Sequence, residues 1–186
     1  SKDETYSYVK DLQSLYPNIV YHKNECNLGV GLTRNIGISL AKTKYICFVD
    51  SDDFIEMKFM NRNYFIDCLN KDNDLIFYEV NNNARSNADY ENIFSHSTSD
   101  RTKYLTELMN IYNFHLTECF CCLIKKNLIV SKKIFFENYR IGEDIVFINK
   151  LFLNAKTYAY TNKIRYTHTA KVGGLATTFR KDYLYD

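Results

Sequence analysis

Tryptophan is absent from this 186-residue chain, proline occurs once, and no apolar run approaches the length that a membrane span requires. The start carries no signal-peptide pattern. A large charge of one sign is lacking too. The formal net charge is +2, which excludes the strongly basic face typical of nucleic-acid-binding domains, so no nucleic-acid partner is expected. The pairs Lys125-Lys126 and Lys132-Lys133 read as solvated faces. Paired C-x-x-C knuckles are missing as well. The cysteines are Cys26, Cys47, Cys68, Cys119, Cys121 and Cys122, and the CFCC cluster has only His115 nearby, which argues against structural zinc. Cys47 in an apolar run and Cys68 in a helical pattern read as buried, reduced thiols, consistent with a cytosolic setting.

What is present is ordinary in bulk and distinctive in order. With 46% hydrophobic and 25% charged residues, the chain suits one globular domain with a real core. Apolar spacing predicts helices over 3–16, 30–42 and 55–71, and strands over 18–22, 44–50 and 74–80. The run over 44–50 is unbroken, as expected of a strand buried on both faces. Gly29 is placed to open the second helix, and Gly37 to allow close helix–strand packing. Residues 81–100 are polar and read as a long surface excursion. A helix near 101–113, a strand at 119–124, a helix at 143–154 and strands at 157–160 and 164–168 follow. Such alternation predicts an α/β fold with a mostly parallel, Rossmann-like sheet flanked by helices. There is no internal repeat.

The stretch FVDSDDF (48–54) sets three carboxylates, Asp50, Asp52 and Asp53, behind an apolar strand. Mutual repulsion raises the cost of ionising them, so solvent or a cation must compensate. Strand alternation would point Asp50 and Asp52 the same way, an oxygen-only pair suited to Mg²⁺ or Mn²⁺. The bland alternative is a solvated loop in which Asp53 caps the following helix. An EF-hand loop fails here, because Phe54 and Ile55 fill its fifth and sixth positions. A haloacid-dehalogenase-type phosphatase fits poorly, since Phe54 stands where a small hydroxyl or β-branched residue is expected.

Three ordered motifs give this cluster company. NECNLGVGLTRNIGISLA carries Asn27, Gly29, Arg34, Asn35 and Gly37; YICFVDSDDFI carries Asp50, Asp52 and Asp53; YRIGEDIVFINKLFLNA carries Gly142, Glu143 and Asp144. Together they resemble the family-2 inverting glycosyltransferases of GT-A fold, over about residues 1–168. SKDET (1–5) is similar to the tail of the family's second-strand motif. The chain is therefore expected to lack the first strands, which hold base and ribose, and to be N-terminally incomplete.

The resemblance implies a single catalytic domain over 1–186, with residues 1–80 as the donor nucleotide and metal half and 81–186 as the acceptor half and C-terminal segment. It implies metal-dependent transfer from a nucleotide-diphosphate sugar, a UDP-sugar foremost, to a glycan or lipid-linked glycan hydroxyl in bacterial cell-surface polysaccharide or lipooligosaccharide synthesis. It casts Asp144 as general base, with Glu143 beside it orienting the loop or touching the acceptor. Asp50, Asp52, Asp53, Arg34 and Asn35 fall on the donor side, with Mn²⁺ or Mg²⁺ at Asp52, Asp50 and His168. Arg34 reads equally as a structural ion pair, and His168 as an exposed polar residue at a strand end. KVGGLATTF (171–179) could form a mobile lid, and FRKDYLYD (179–186) a peripheral contact with the inner face of the membrane. A non-catalytic glycosyltransferase-like module and a nucleotidyltransferase are the competing classes.

Overall fold

The computed structural model describes residues 4–57, 69–81, 119–139 and 142–169. The expected excursion at 81–100, apart from Asn81, and the helix near 101–113 lie outside them, as do the suggested lid and the C-terminal membrane contact. Helix α1 spans Thr5–Leu15 and α2 spans Val30–Leu40. Strands β1 (Tyr45–Ile46), β2 (Phe54–Met57) and β3 (Leu75–Asn81) follow. A 3-10 turn at Cys119–Cys121 leads into β4 (Cys122–Lys125) and α3 (Lys126–Ser131). Helix α4 (Glu143–Asn154) and β5 (Tyr158–Thr167) complete the order. Among the described residues no helix is long and apolar enough to cross a membrane.

The five strands form one sheet in the order β1-β4-β3-β5-β2. The expectation of a mostly parallel sheet needs correction. Among the described residues only β3 and β5 pair in parallel, while β4 runs antiparallel between β1 and β3, and β2 runs antiparallel along β5. The reason is that β4 inserts between two like-directed strands. The segment after the carboxylates turns back along β5 and does not start a helix. Residues 55–57, read as helical, are strand, with Phe54 opposite Thr167 and Ile55 opposite Tyr166. Leu69 and Asn70 are helical, and residues 58–68 lie outside the described set.

Two further strand readings change. Residues 18–22 form no strand, and Val20 is largely exposed, since no neighbouring strand among the described residues supplies a ladder. The predicted strand over 44–50 shrinks to Tyr45–Ile46, with Phe48 buried and Val49 exposed, so this run is not buried on both faces. The two predicted C-terminal strands are one. The register jumps from Tyr78 opposite Thr161 to Glu79 opposite Arg165, and the polar residues between the two apolar runs form a bulge.

The core gathers on the sheet beneath α4. Leu75, Ile76 and Phe77 of β3, Ile124 of β4, and Phe147, Ile148 and Leu151 of α4 are essentially inaccessible. Phe136 stacks on Phe147 at 3.8 Å between ring centroids, and Phe48 meets both edge-on. This aromatic knot fixes the chain just before Asp50 against the first turns of α4, bringing distant motifs together.

Candidate functional site

The site is assembled from three helix and strand ends. Gly29 precedes α2 with φ +79°, a backbone conformation open to glycine, and its N–H donates to the Asn27 side-chain oxygen at 3.0 Å. This start sets Arg34 and Asn35 on the second turn of α2. The Arg34 guanidinium donates to Asp50 Oδ1 at 2.7 Å and to Glu143 Oε1 at 3.3 Å. It also lies over the rings of Phe48 and Phe136. One cation thus ties α2, the carboxylate turn and the start of α4 together. Asn35, expected on the donor side, clamps a neighbouring loop: its amide nitrogen donates to the Phe136 carbonyl and its oxygen accepts the Phe136 N–H, both at 2.9 Å.

The three clustered aspartates part company. They do not lie on an alternating strand. Residues 50–53 form a turn closed by the Asp53 N–H donating to the Asp50 carbonyl at 3.1 Å, with Asp52 partly buried near its tip. Asp50 is neutralised by Arg34. The Asp53 side chain is wholly inaccessible and takes hydrogen bonds from the Tyr166 hydroxyl and the Thr169 N–H, the latter at 2.8 Å. His168 Nδ1 sits 3.2 Å from the same carboxylate. Burial pushes the Asp53 carboxyl up, but Thr169, Tyr166 and His168 together hold it below its usual value. Asp53 is therefore an internal anchor, which corrects its assignment to the donor. Nor does it cap a helix, since a strand follows. Protein groups therefore compensate Asp50 and Asp53.

Gly142 adopts the left-handed conformation, φ +75°, immediately before α4. Glu143 and Asp144 then occupy the first turn, where the helix dipole favours negative charge. Glu143 is buried against Arg34. Asp144 is partly buried, and burial followed by the adjacent Glu143 charge raises its carboxyl to about 6. The Ile145 N–H and Arg34 oppose that rise.

The profile of the family described as Glycosyl transferase family 2 matches residues 1–126. The chain belongs to this family. Among its relatives, the minor teichoic acid biosynthesis protein GgaB of Bacillus subtilis (strain 168) is 27% identical over 94% of this chain and 19% of its own length. Glycosyltransferase GlyA of Streptococcus pneumoniae serotype 4 is 22% identical, over 100% of this chain and 27% of its own. The chain thus spans less than a third of either relative. The crystal structure of S. aureus TarS 1-349 in complex with UDP-GlcNAc superposes with a TM-score of 0.74 at 20% identity, over 97% of this chain and 50% of that one. The likeness shows a shared α/β fold of GT-A type.

Within this family-2 chain, the donor set bears on the cation question. Asp50 keeps oxygen capacity beyond its Arg34 contact, and Asp52 adds a second carboxylate. Such oxygens suit Mg²⁺ or Mn²⁺, which retain water and take substrate phosphates. Among the described residues no group of three or more His, Cys, Asp or Glu converges to hold a metal. The predicted trio of Asp50, Asp52 and His168 is therefore not assembled as a cage.

Three contributors were not anticipated. Tyr166 accepts the Asp50 N–H at 3.2 Å while donating to Asp53. Phe120 stacks on Tyr166 and on His168, at 4.3 and 5.7 Å. Gly31 packs tightly, since a Cβ there would lie 3.1 Å from Glu143 Cγ and 3.2 Å from Phe136 Cβ. The close packing foreseen at Gly37 belongs to Gly31 instead, as Gly37 has nothing within 4 Å. Alternation within RYTHT was a usable signal for Tyr166, because it puts Tyr166 and His168 on one side of β5.

Proposed function

We propose that this chain is the catalytic core of a metal-dependent, inverting glycosyltransferase. It transfers a sugar, with UDP-N-acetylhexosamine as the first donor to test, to a hydroxyl of a bacterial cell-surface glycan, polymeric or lipid-linked. It would work in the cytoplasm at the inner face of the membrane. The teichoic-acid relative GgaB and the UDP-GlcNAc complex of TarS support this choice of donor and acceptor. The observation that carries the reading is the Arg34 bridge, which joins the DxD turn through Asp50 to the base-bearing helix through Glu143.

Asp52 and Asp50 would hold the cation, with His168 beside them. The cation, when bound, supplies Lewis-acid neutralisation of the departing diphosphate. Asp144 accepts the proton of the acceptor hydroxyl as the oxygen attacks the anomeric carbon opposite the leaving group. The bond from that carbon to the diphosphate oxygen breaks with the electron pair, so displacement in one step inverts the centre. The raised carboxyl of Asp144 suits this task, since a base near the working pH couples availability to proton affinity. Glu143, locked on Arg34, orients the turn that carries Asp144. Arg34 limits repulsion between Asp50 and the incoming diphosphate.

Release of nucleoside diphosphate from UDP-, GDP- and dTDP-sugars, with and without Mn²⁺, tests this with the full-length protein and a wall-glycan acceptor. Metal-dependent UDP release that Asp144→Asn abolishes supports it. Release of pyrophosphate, or near-normal transfer by Asp144→Asn, overturns it.

A further inference from the structure

The Arg34 guanidinium serves two carboxylates unequally, Asp50 at 2.7 Å and Glu143 at 3.3 Å. The Glu143 side chain is 9% exposed, whereas that of Asp50 keeps 34% open to solvent. Gly31 backs Glu143 closely, and the rings of Phe48 and Phe136 flank the guanidinium. Packing thus fixes the inner end of the bridge, while its outer end faces the carboxylate turn. Asp144 sits beside the inner end. The charges acting on it are Glu143, on the same turn of α4, which favours its proton, and Arg34, from α2, which opposes it. Lys150, further along α4, is engaged by Glu137 from the segment before that helix. From the carboxylate turn, Asp50 connects to this group through Arg34.

We propose that Arg34 is a positioning residue that relays charge at Asp50 to the base Asp144, by dividing its hydrogen bonds between Asp50 and Glu143. A guanidinium is a planar fork with donors in fixed directions, so drawing it toward one carboxylate loosens it on the other. Negative charge arriving beside Asp50, as a nucleoside diphosphate brings, pulls the fork off the longer Glu143 contact. Glu143 then presents its full charge to Asp144, and a like charge at close range favours the protonated carboxyl. A bound donor thereby strengthens Asp144 as a proton acceptor when the acceptor hydroxyl must lose its proton. Loss of the Asp50 charge does the reverse. The fork settles on Glu143, and Asp144 gives up its proton more readily. Such coupling is reciprocal, so the protonation of Asp144 also tunes affinity on the donor side. A rigid set of the same charges has no relay, because the Asp50 field then acts on Asp144 whether or not Glu143 is charged. The inference rests on the donor and base roles proposed above, but its first test needs neither.

The test is a pH titration of the Asp144 carboxyl by carbon-detected NMR, in the folded full-length protein with ¹³C-labelled aspartate. Asp144→Asn identifies the signal. Without ligand, Asp50→Asn should lower the Asp144 midpoint by about one pH unit, an ordinary size for coupling between sites. In a Glu143→Gln background the same change should move it much less, since the fork has no second carboxylate to settle on. Arg34→Met removes the relay outright, so Asp50→Asn should again have little effect on the midpoint. Saturating UDP should raise the midpoint in wild type, and distinctly less in Glu143→Gln. An Asp50→Asn shift of equal size with and without Glu143 overturns the proposal, as does no shift in either, or a midpoint that ignores bound UDP. Should Arg34→Met fail to fold, the Asp50→Asn and Glu143→Gln variants, which keep the native side-chain shapes, decide alone. Failure of UDP to bind would sink the donor reading and leave the ligand-free comparison to judge the relay, so the two failures remain distinguishable.

Discussion

Asp144 and Asn35 stand at opposite ends of what single residues revealed. With its carboxyl raised to about 6, Asp144 is mostly protonated below that pH and competent as a base above it. Turnover should therefore climb about tenfold per pH unit below 6 and level off above it. Asp144→Asn should lower turnover by about 10²–10⁴-fold, flatten the profile and leave UDP affinity unchanged, as a kcat–pH series with UDP titrations would read. Asn35 yields a different prediction because its amide faces backbone. Asn35→Ala strands the Phe136 N–H and carbonyl and should cost about 1–3 kcal/mol in urea unfolding. The folded fraction should still bind UDP normally; a selective loss of UDP affinity at unchanged stability would return Asn35 to the donor site. The motif text named Asp50, Asp52 and Asp144. It could not reveal that Asp53 is spent internally, since its partners Tyr166 and Thr169 lie more than a hundred residues away.

Helices α1, α2 and α4 and strand β3 were legible, whereas β2 was read as helix, for a reason that α2 and β2 illustrate. A helix closes its hydrogen bonds locally, so the start at Gly29 and the apolar faces of α2 and α4 suffice to mark it. A strand is defined by its neighbour. FIEM could have continued as a helix, and only β5 makes it a strand. The same contrast governs the two glycines of α2. Gly31 faces Glu143, Phe136 and the Glu137 carbonyl, so Gly31→Ala overpacks the junction with α4 and should destabilise by about 1–3 kcal/mol. Gly37→Ala meets nothing within 4 Å and should stabilise by about 0.4–1 kcal/mol, through helix propensity and a less flexible unfolded chain. Thermal unfolding of the two variants should shift in opposite directions. Equal shifts would mean that the helices do not approach closely at Gly31.

For the whole molecule, folding stability inherits opposite pH signs from the site's carboxylates. Asp53 is depressed in the fold, so its contribution is present above its unfolded value and disappears as pH falls through the lower folded one. Asp72, hydrogen-bonded by Lys125 and Lys44 and lowered to about 2, acts with the same sign. Asp144 acts with the other sign. Raised from 3.8 to about 6, it binds protons more tightly folded than unfolded, so its contribution is complete below 3.8 and is lost as pH rises through 6. The stability gained by Asp144→Asn should therefore be near zero below pH 4, grow between 4 and 6, and stay constant above. Partial exposure of Asp144 screens the effect, leaving about 1–2 kcal/mol at the plateau. Denaturation midpoints of wild type and variant from pH 3 to 8 would measure it. A difference that ignores pH would mean that burial and Glu143 do not raise Asp144. A variant that is more stable and inactive together would mark the carboxylate as one the fold retains against its own stability, as expected of a base held for chemistry.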